Sequence, residues 1–538
     1  MKKARTPFLQ QLIRSFHKAR WAEKHPVVDT RTILDLSKSD EWSRRKFITE
    51  ISKAAVVTGV LSSLPLSSCK TRSSTNTQEA GKHEGVNIAI VGGGMAGLRC
   101  AYALQKAGIT AQIYEADKRT GGRMYSKQED FGTGLWAEYG GEFLDSDHDD
   151  MFELVREFNL ETFDTYTDTA HREVCYIGDR FYSEEDIVNA FRQVNTRIAS
   201  DLESCGAMYD TPQAFNLDTM SLEEYIRSLQ CDKWFQDMLI AAYVGEYGLD
   251  ASQQSALNFV DLIGTDLDDG FKIFGESDER YKVVGGNQKI VDALAEKLEN
   301  QIHKEHRLTA LRETGNSYTL IFNEKVEVKA DYVVLAIPFT TLRLVDLQLT
   351  DMDPVKKQCI DEMGYGQNSK LLLGMNSRVW RNEKPAKAGF LTHKDIHTGW
   401  DNSQMQNGNT GPAGYTVFLG GTPSIQMAEA AKAAGLRDSV PDTYVQQYLD
   451  MMENVFKGFK ASYTGVQKAA LWPNNPFTLG SYACFKPGQW LTIGNKAFEP
   501  VGNVHFAGEQ CSEEFLGYMN GAAQTGRLAA EAIIAKLG

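Results

Sequence analysis

The chain has 538 residues, 42% apolar, 24% charged and 10% aromatic, which is enough for two or more domains around a large core. No apolar run has the length of an ordinary transmembrane helix, and the net charge is −14. Residues 1–68 hold 13 Lys+Arg against 6 Asp+Glu, so the remainder carries −21, which repels nucleic acid and weakly concentrates cations such as protonated amines.

The first seventy residues read as an address. Ser43-Arg44-Arg45-Lys46-Phe47-Ile48 resembles a twin-arginine export signal, a weakly apolar stretch follows from Ala54 to Leu66, and Leu66-Ser67-Ser68-Cys69 resembles a lipoprotein cleavage box. Export and lipidation on Cys69 are therefore expected over residues 1–69, placing the product in the periplasm or on a membrane through a lipid anchor alone. Residues 70–85 are rich in Ser, Thr and Asn and read as a linker. The folded part begins near Val86.

Val86–Val91 is a short apolar strand that runs into Gly92-Gly93-Gly94-Met95-Ala96-Gly97 and then a helical stretch, Leu98–Lys106. A second strand, Gly108–Tyr114, ends at Glu115. This is a complete strand–helix–strand setting for the G-x-G-x-x-G pattern. Gly92 permits the tight turn, Gly94 lets backbone approach a pyrophosphate, and Gly97 lets helix pack on strand. The helix N-terminus, at Met95 and Ala96, then faces the phosphates, and Glu115 with Ala116 lies where the ribose hydroxyls sit. The eight cysteines show no CxxC spacing, and His393 and His397 fall in a loop-like stretch, so neither a disulfide framework nor a metal site is expected.

The pattern does not distinguish FAD from NAD, but further segments do. Arg119-Thr120-Gly121-Gly122-Arg123, together with Val504–Glu509 and Gly517-Tyr518-Met519-Asn520-Gly521-Ala522 near the other end, resembles the flavin-contacting motifs of the monoamine oxidase and polyamine oxidase family. Tyr281–Gly286 resembles the strand by which that family re-enters its cofactor domain, and Asp331–Pro338 the strand that leaves it. The resemblance implies an α/β fold: a Rossmann-like FAD-binding domain of the ββα, two-dinucleotide-motif type, with an interleaved α+β substrate domain. The first would be assembled from 86–150, 281–350 and 480–538, the second from 151–280 and 351–479. It further implies FAD contacts at Gly122, Arg123, Leu308, Gly508, Glu509, Tyr518, Met519 and Ala522.

The implied activity is hydride transfer to flavin from the carbon beside an amine nitrogen, with oxygen as acceptor. Lys370, heading the apolar stretch Leu371–Leu373, matches the family's lysine that holds a water at the reactive flavin nitrogen. Tyr482 and Tyr518 match two rings that face the flavin and orient the amine. Trp472 is a candidate wall of the same pocket, and Glu142 and Asp145 are candidate anchors for a distal ammonium. Asp145 or Ser146 reads equally as the cap of a helix over Asp149–Phe158.

Two departures refine the expectation. Monoamine oxidases join flavin to a cysteine immediately before the aromatic residue; that place is Ser481, so non-covalent FAD is expected. Amino-acid oxidases of the superfamily place a carboxylate-clamping arginine soon after the Gly-Gly-Arg segment, whereas Gly140–Asp145 holds two acids and no arginine. Alternative readings are an L-amino-acid oxidase, a carbon–carbon desaturase, or a non-catalytic flavin-binding lipoprotein. A homodimer is compatible with the sequence.

Overall fold

Ile88–Val91 is apolar at every position because it is the middle strand of a sheet covered on both faces. In this computed structural model, which describes residues 85–168, 173–263, 279–382, 390–405 and 410–538, it pairs with Tyr332–Leu335 and with Gln112–Tyr114. Val504–Phe506 and Ile302–His303 complete a five-stranded parallel sheet. Side chains alternate between its faces. Ile88, Ile90 and Val334 join a core with the helices, while Ala89, Val91, Val333 and Leu335 join a second core under a four-stranded sheet that contains Leu308–Thr314 and Ser317–Phe322. The expected export segment and Cys69 lie outside the described residues.

Helix Met95–Lys106 leaves the first strand, and the last helix of the chain, Met519–Leu537, packs along it. Their approach is backbone to backbone. A Cβ at Gly526 would stand 2.2 Å from the Ala96 carbonyl oxygen, and one at Gly97 would stand 2.0 Å from the Gly92 carbonyl oxygen. The third glycine of the motif thus seats helix on strand, and Gly526 seats helix on helix.

The substrate domain is a seven-stranded mixed sheet in the order Tyr463–Leu471, Ser369–Ser377, Thr410–Leu419, His397–Asp401, Phe390–His393, Glu173–Ile177 and Arg180–Tyr182. Its inner strand Ser369–Ser377 is buried along Ser369–Met375, which places Lys370 in the interior. A separate helical core gathers around Phe191, Phe235, Tyr243 and Phe259. Two of its helices follow Ser183 and Ser221, each closed by a reciprocal capping box, with Asp186 and Glu224 respectively.

Tyr281–Val283 pairs with Thr162–Asp164 and places Val283 in the cofactor-side core. Two expectations need correction. Helix Asp149–Glu157 straddles the expected boundary at residue 150. Its Met151, Leu154 and Val155 pack in the cofactor-side core, because an amphipathic helix follows its apolar stripe. His393 and His397 lie on the paired strands of a hairpin rather than in a loop. Among the described residues no helix is long and apolar enough to cross a membrane.

The glycine contact makes a direct prediction. Gly526→Val forces backbone apart at the Ala96 crossing, and overpacking of this kind costs roughly 1–3 kcal/mol. Urea unfolding should show a lowered midpoint with little change in slope; an unchanged midpoint would show that the helices can part without cost.

Candidate active site

The end of the first strand opens one wall of a cavity of about 260 Å³ that runs between the two domains. Gly92 has φ +107°, and a Cβ there would come within 2.5 Å of the Ala336 carbonyl oxygen, so only glycine lets the chain turn at this point. Gly94 is the N-cap of Met95–Lys106, with no side-chain cap and no acidic residue in the first turn. The free N–H groups of that turn make an anion site. Gly92, Gly94, Met95 and Ala96 line the cavity here, with Glu115, Ala116 and Leu308 beyond them. Glu115 is fixed by the Gly93 and Asp117 amides, which donate to its two oxygens at 2.6 and 2.7 Å. Burial pushes its carboxyl up from the usual range, against the pull of those two amides. Uncapped helix end, glycine turn and aimed carboxylate are the features a dinucleotide requires, so the residues fit FAD.

Gly122, Arg123, Gly508, Glu509, Met519 and Ala522 line the next stretch of the cavity. Arg123 lines the cavity with one amino group already engaged. It donates to the Ser481 carbonyl at 2.5 Å and to Glu509 at 2.8 Å, and so ties the Gly-Gly-Arg segment to the closing motif. Glu509 also accepts from the Ala483 amide at 3.1 Å, fixing the segment that carries Tyr482.

Lys370, Tyr482, Tyr518, Trp472 and Glu142 all line the reacting end. Lys370 is 4% exposed and donates to the carbonyls of Glu138 and Gly140 and to Glu142, at 3.0, 2.8 and 2.8 Å. These contacts use all three of its N–H groups. Glu142 in turn accepts from Lys282 at 2.7 Å and from the Trp400 indole at 2.9 Å. Burial opposes its ionisation more than any other single influence, yet the two ammonium groups and their hydrogen bonds together hold its carboxyl below the usual range. An oxygen pair so occupied is a counter-ion within the protein rather than the anchor for a distal ammonium expected from the sequence. Glu138 lies behind this network, its side chain accepting from Ser126 and the Asn287 amide, and burial pushes its carboxyl up to about 7.

Of the expected site residues, Gly97 and Asp145 do not line the cavity. Gly97 is committed to the helix–strand contact described above. Asp145 is fully buried, accepts from the Glu279 amide at 2.7 Å and faces His148 Nε2 at 3.3 Å. It does not cap the helix either: the N-cap is His148, with no side-chain cap. His148 packs edge-to-face on Tyr518, with centroids 5.3 Å apart. Asp145, Asp147 and His148 bring their ligand atoms within 4.8 Å of one another. However, His148 Nδ1 accepts the Asp145 amide at 3.0 Å, so the ring proton sits on Nε2 and leaves no lone pair there for a metal.

Ser481 occupies the place of the family's flavin-linked cysteine and donates to Asn368 Oδ1 at 2.6 Å. Among the described residues no cysteine lines the cavity; Cys484, the nearest in sequence to Ser481, lies in the helical core. The sequence reading did not single out Phe143, Glu279, Trp400, Phe418 or Phe477, all of which line the cavity. Trp400 and Phe418 project from two paired strands of the substrate sheet, and nothing in their local sequence marks them.

Comparison with known proteins agrees with this geometry. A family model described as flavin-containing amine oxidoreductase matches residues 95–534. A probable flavin-containing monoamine oxidase A of Dictyostelium discoideum is 23% identical over 463 residues, covering 82% of this chain and 95% of that protein. An L-amino acid dehydrogenase of Synechocystis is 24% identical over 471 residues, covering 83% and 94%. Among solved structures, cyclohexylamine oxidase from Brevibacterium oxydans superposes with a TM-score of 0.71 at 20% identity, covering 84% of this chain and 99% of that one. Putrescine oxidase bound to putrescine superposes with a TM-score of 0.68 at 22% identity and the same coverage. With a matched family model spanning most of its length and a cavity built as that family's cofactor requires, the chain belongs to the flavin-containing amine oxidoreductases.

Proposed function

We propose that this flavin-dependent amine oxidoreductase oxidises small primary or secondary amines with an apolar body, using FAD held without a covalent bond. The observation that carries the reading is the composition of the reacting end. Tyr482, Tyr518, Trp400, Phe418, Trp472 and Phe477 supply ring surface, and Glu142, the carboxylate that accepts from Lys370, is already neutralised by two lysines. When bound, FAD accepts the hydride and passes electrons to oxygen.

The residues of the chain do the rest. Tyr482 and Tyr518 present ring faces that exclude water and orient the amine with its α-carbon toward the flavin. Trp472 is held by its indole N–H, which donates to the Tyr139 carbonyl at 3.1 Å and keeps the ring on the pocket wall. Lys370, with its three N–H groups occupied, acts through its charge rather than by holding a water. Amino acids suit the pocket less well. Arg123 is committed to Glu509 and the Ser481 carbonyl, and Arg119 donates to the carbonyls of Thr120, Gly122 and Met124. The wall where an amino-acid oxidase would clamp a carboxylate carries Glu142.

Three outcomes test the reading. Anaerobic mixing with aromatic or alicyclic monoamines should bleach the flavin, while L-amino acids should leave it yellow; bleaching by amino acids alone would replace this reading with amino-acid oxidation. Acid precipitation should leave the colour in the supernatant, and colour retained in the pellet would show a covalent link. In stopped flow, Tyr518→Leu should slow anaerobic reduction about tenfold for each ~1.4 kcal/mol of lost orientation, whereas Lys370→Met should slow reoxidation by oxygen more than reduction. If the lysine variant reoxidises at the unmutated rate, Lys370 is structural.

A further inference from the structure

Lys282 is a buried cation that amine recognition does not use. It is 1% exposed, its ammonium donates to Glu142 Oε1 at 2.7 Å, and it stands 4.6 Å from the centroid of the Phe143 ring. It does not itself line the cavity, but Glu142, Lys370 and Phe143 do. Lys282 and Lys370 therefore share one carboxylate, and the triad carries one net positive charge in the interior. An unbalanced buried charge is costly, and an apolar side chain of similar length would remove the cost. Such a charge is retained at a profit only where something nearby becomes negative.

The proposed reaction supplies that negative charge. The α C–H bond of a neutral amine breaks, its electron pair and hydrogen pass to the oxidised flavin, and the nitrogen lone pair closes the C=N bond. Neutral amine and neutral flavin become an iminium cation and an anionic reduced flavin. Oxygen then takes two electrons and, with one further proton, leaves as hydrogen peroxide, while water hydrolyses the iminium to carbonyl and ammonium. We propose that Lys282, acting through Glu142, sets the redox potential of the flavin: the excess positive charge of the Lys282–Glu142–Lys370 triad favours the anionic reduced form. This rests on the reading that places the flavin's reacting face at Lys370. Lys282 touches neither substrate nor cofactor; its influence is electrostatic, which in a low-dielectric site reaches further than in water.

The triad can be tested by its charge. Holoenzymes carrying Lys282→Met, Glu142→Gln, both together, or Lys282→Arg would be reduced with dithionite against reference dyes at one fixed pH, following flavin absorbance. Removing the Lys282 charge should lower the reduced-to-oxidised ratio at fixed poise at least tenfold, about 30 mV for a two-electron couple. Glu142→Gln should raise it by a similar factor. The double variant restores the net charge and should return close to the parent, and Lys282→Arg should stay there. A potential unmoved by Lys282→Met at full FAD occupancy would overturn the proposal, as would both single variants shifting in the same direction. If one single variant loses FAD, the other decides by its shift: an unmoved or oppositely signed potential overturns the proposal. Dithionite reduction needs no amine, so a holoenzyme that no amine bleaches would sink the functional reading and leave this measurement intact. A chain that binds no FAD would sink both.

Discussion

One carboxylate held between two ammonium groups sets the register of the whole active site. Glu142 comes from the segment after the first cofactor motifs, Lys370 from the inner strand of the substrate sheet, and Lys282 from the strand paired with Thr162–Asp164. All three are buried. Breaking a buried pair by removing one partner typically costs about 3–5 kcal/mol, because the other charge is left without compensation. The three segments therefore cannot slide past one another independently. The Trp400 indole adds a fourth segment to the same oxygen as Lys282, and the carbonyls of Glu138 and Gly140 fix the lysine from the cofactor side. Of the aromatic walls, Trp400 is positioned by this polar centre directly.

What could be read from sequence was whatever the backbone must do locally. The glycines at 92, 94 and 97 stand where a turn, an open helix end and a helix–strand contact demand them. Glu115 ends its strand in place, and the close of the chain supplies the segment bearing Tyr518. Lys370 stood out because a lysine in an apolar strand needs a reason, and three oxygen acceptors supply it.

The rest was not legible, because it depends on which distant segments meet. Glu142 looked like a free acid since its partners lie 140 and 228 residues away. Asp145 looked like a pocket acid or a helix cap, and its actual partner is the Glu279 amide, 134 residues on. Arg123 looked like a cofactor contact alone, and its tie to Glu509 spans 386 residues. Trp400 and Phe418 sit on strands whose outer neighbours alone decide which face meets the cavity. Long-range pairing assigns the roles here, and local pattern carries no trace of it.

The crossing of helix Met519–Leu537 over Met95–Lys106 has a consequence for how the protein is made. Helix Met95–Lys106, whose open end fits a dinucleotide, leaves the ribosome long before helix Met519–Leu537, which packs along it. Between them the central sheet also awaits Val504–Phe506, its final strand. A nascent chain therefore carries an unfinished binding cleft, with apolar strand edge exposed, until those segments emerge. Cofactor capture therefore waits for helix Met519–Leu537, and a chain that stops before Met519 would lack the helix that closes the cleft.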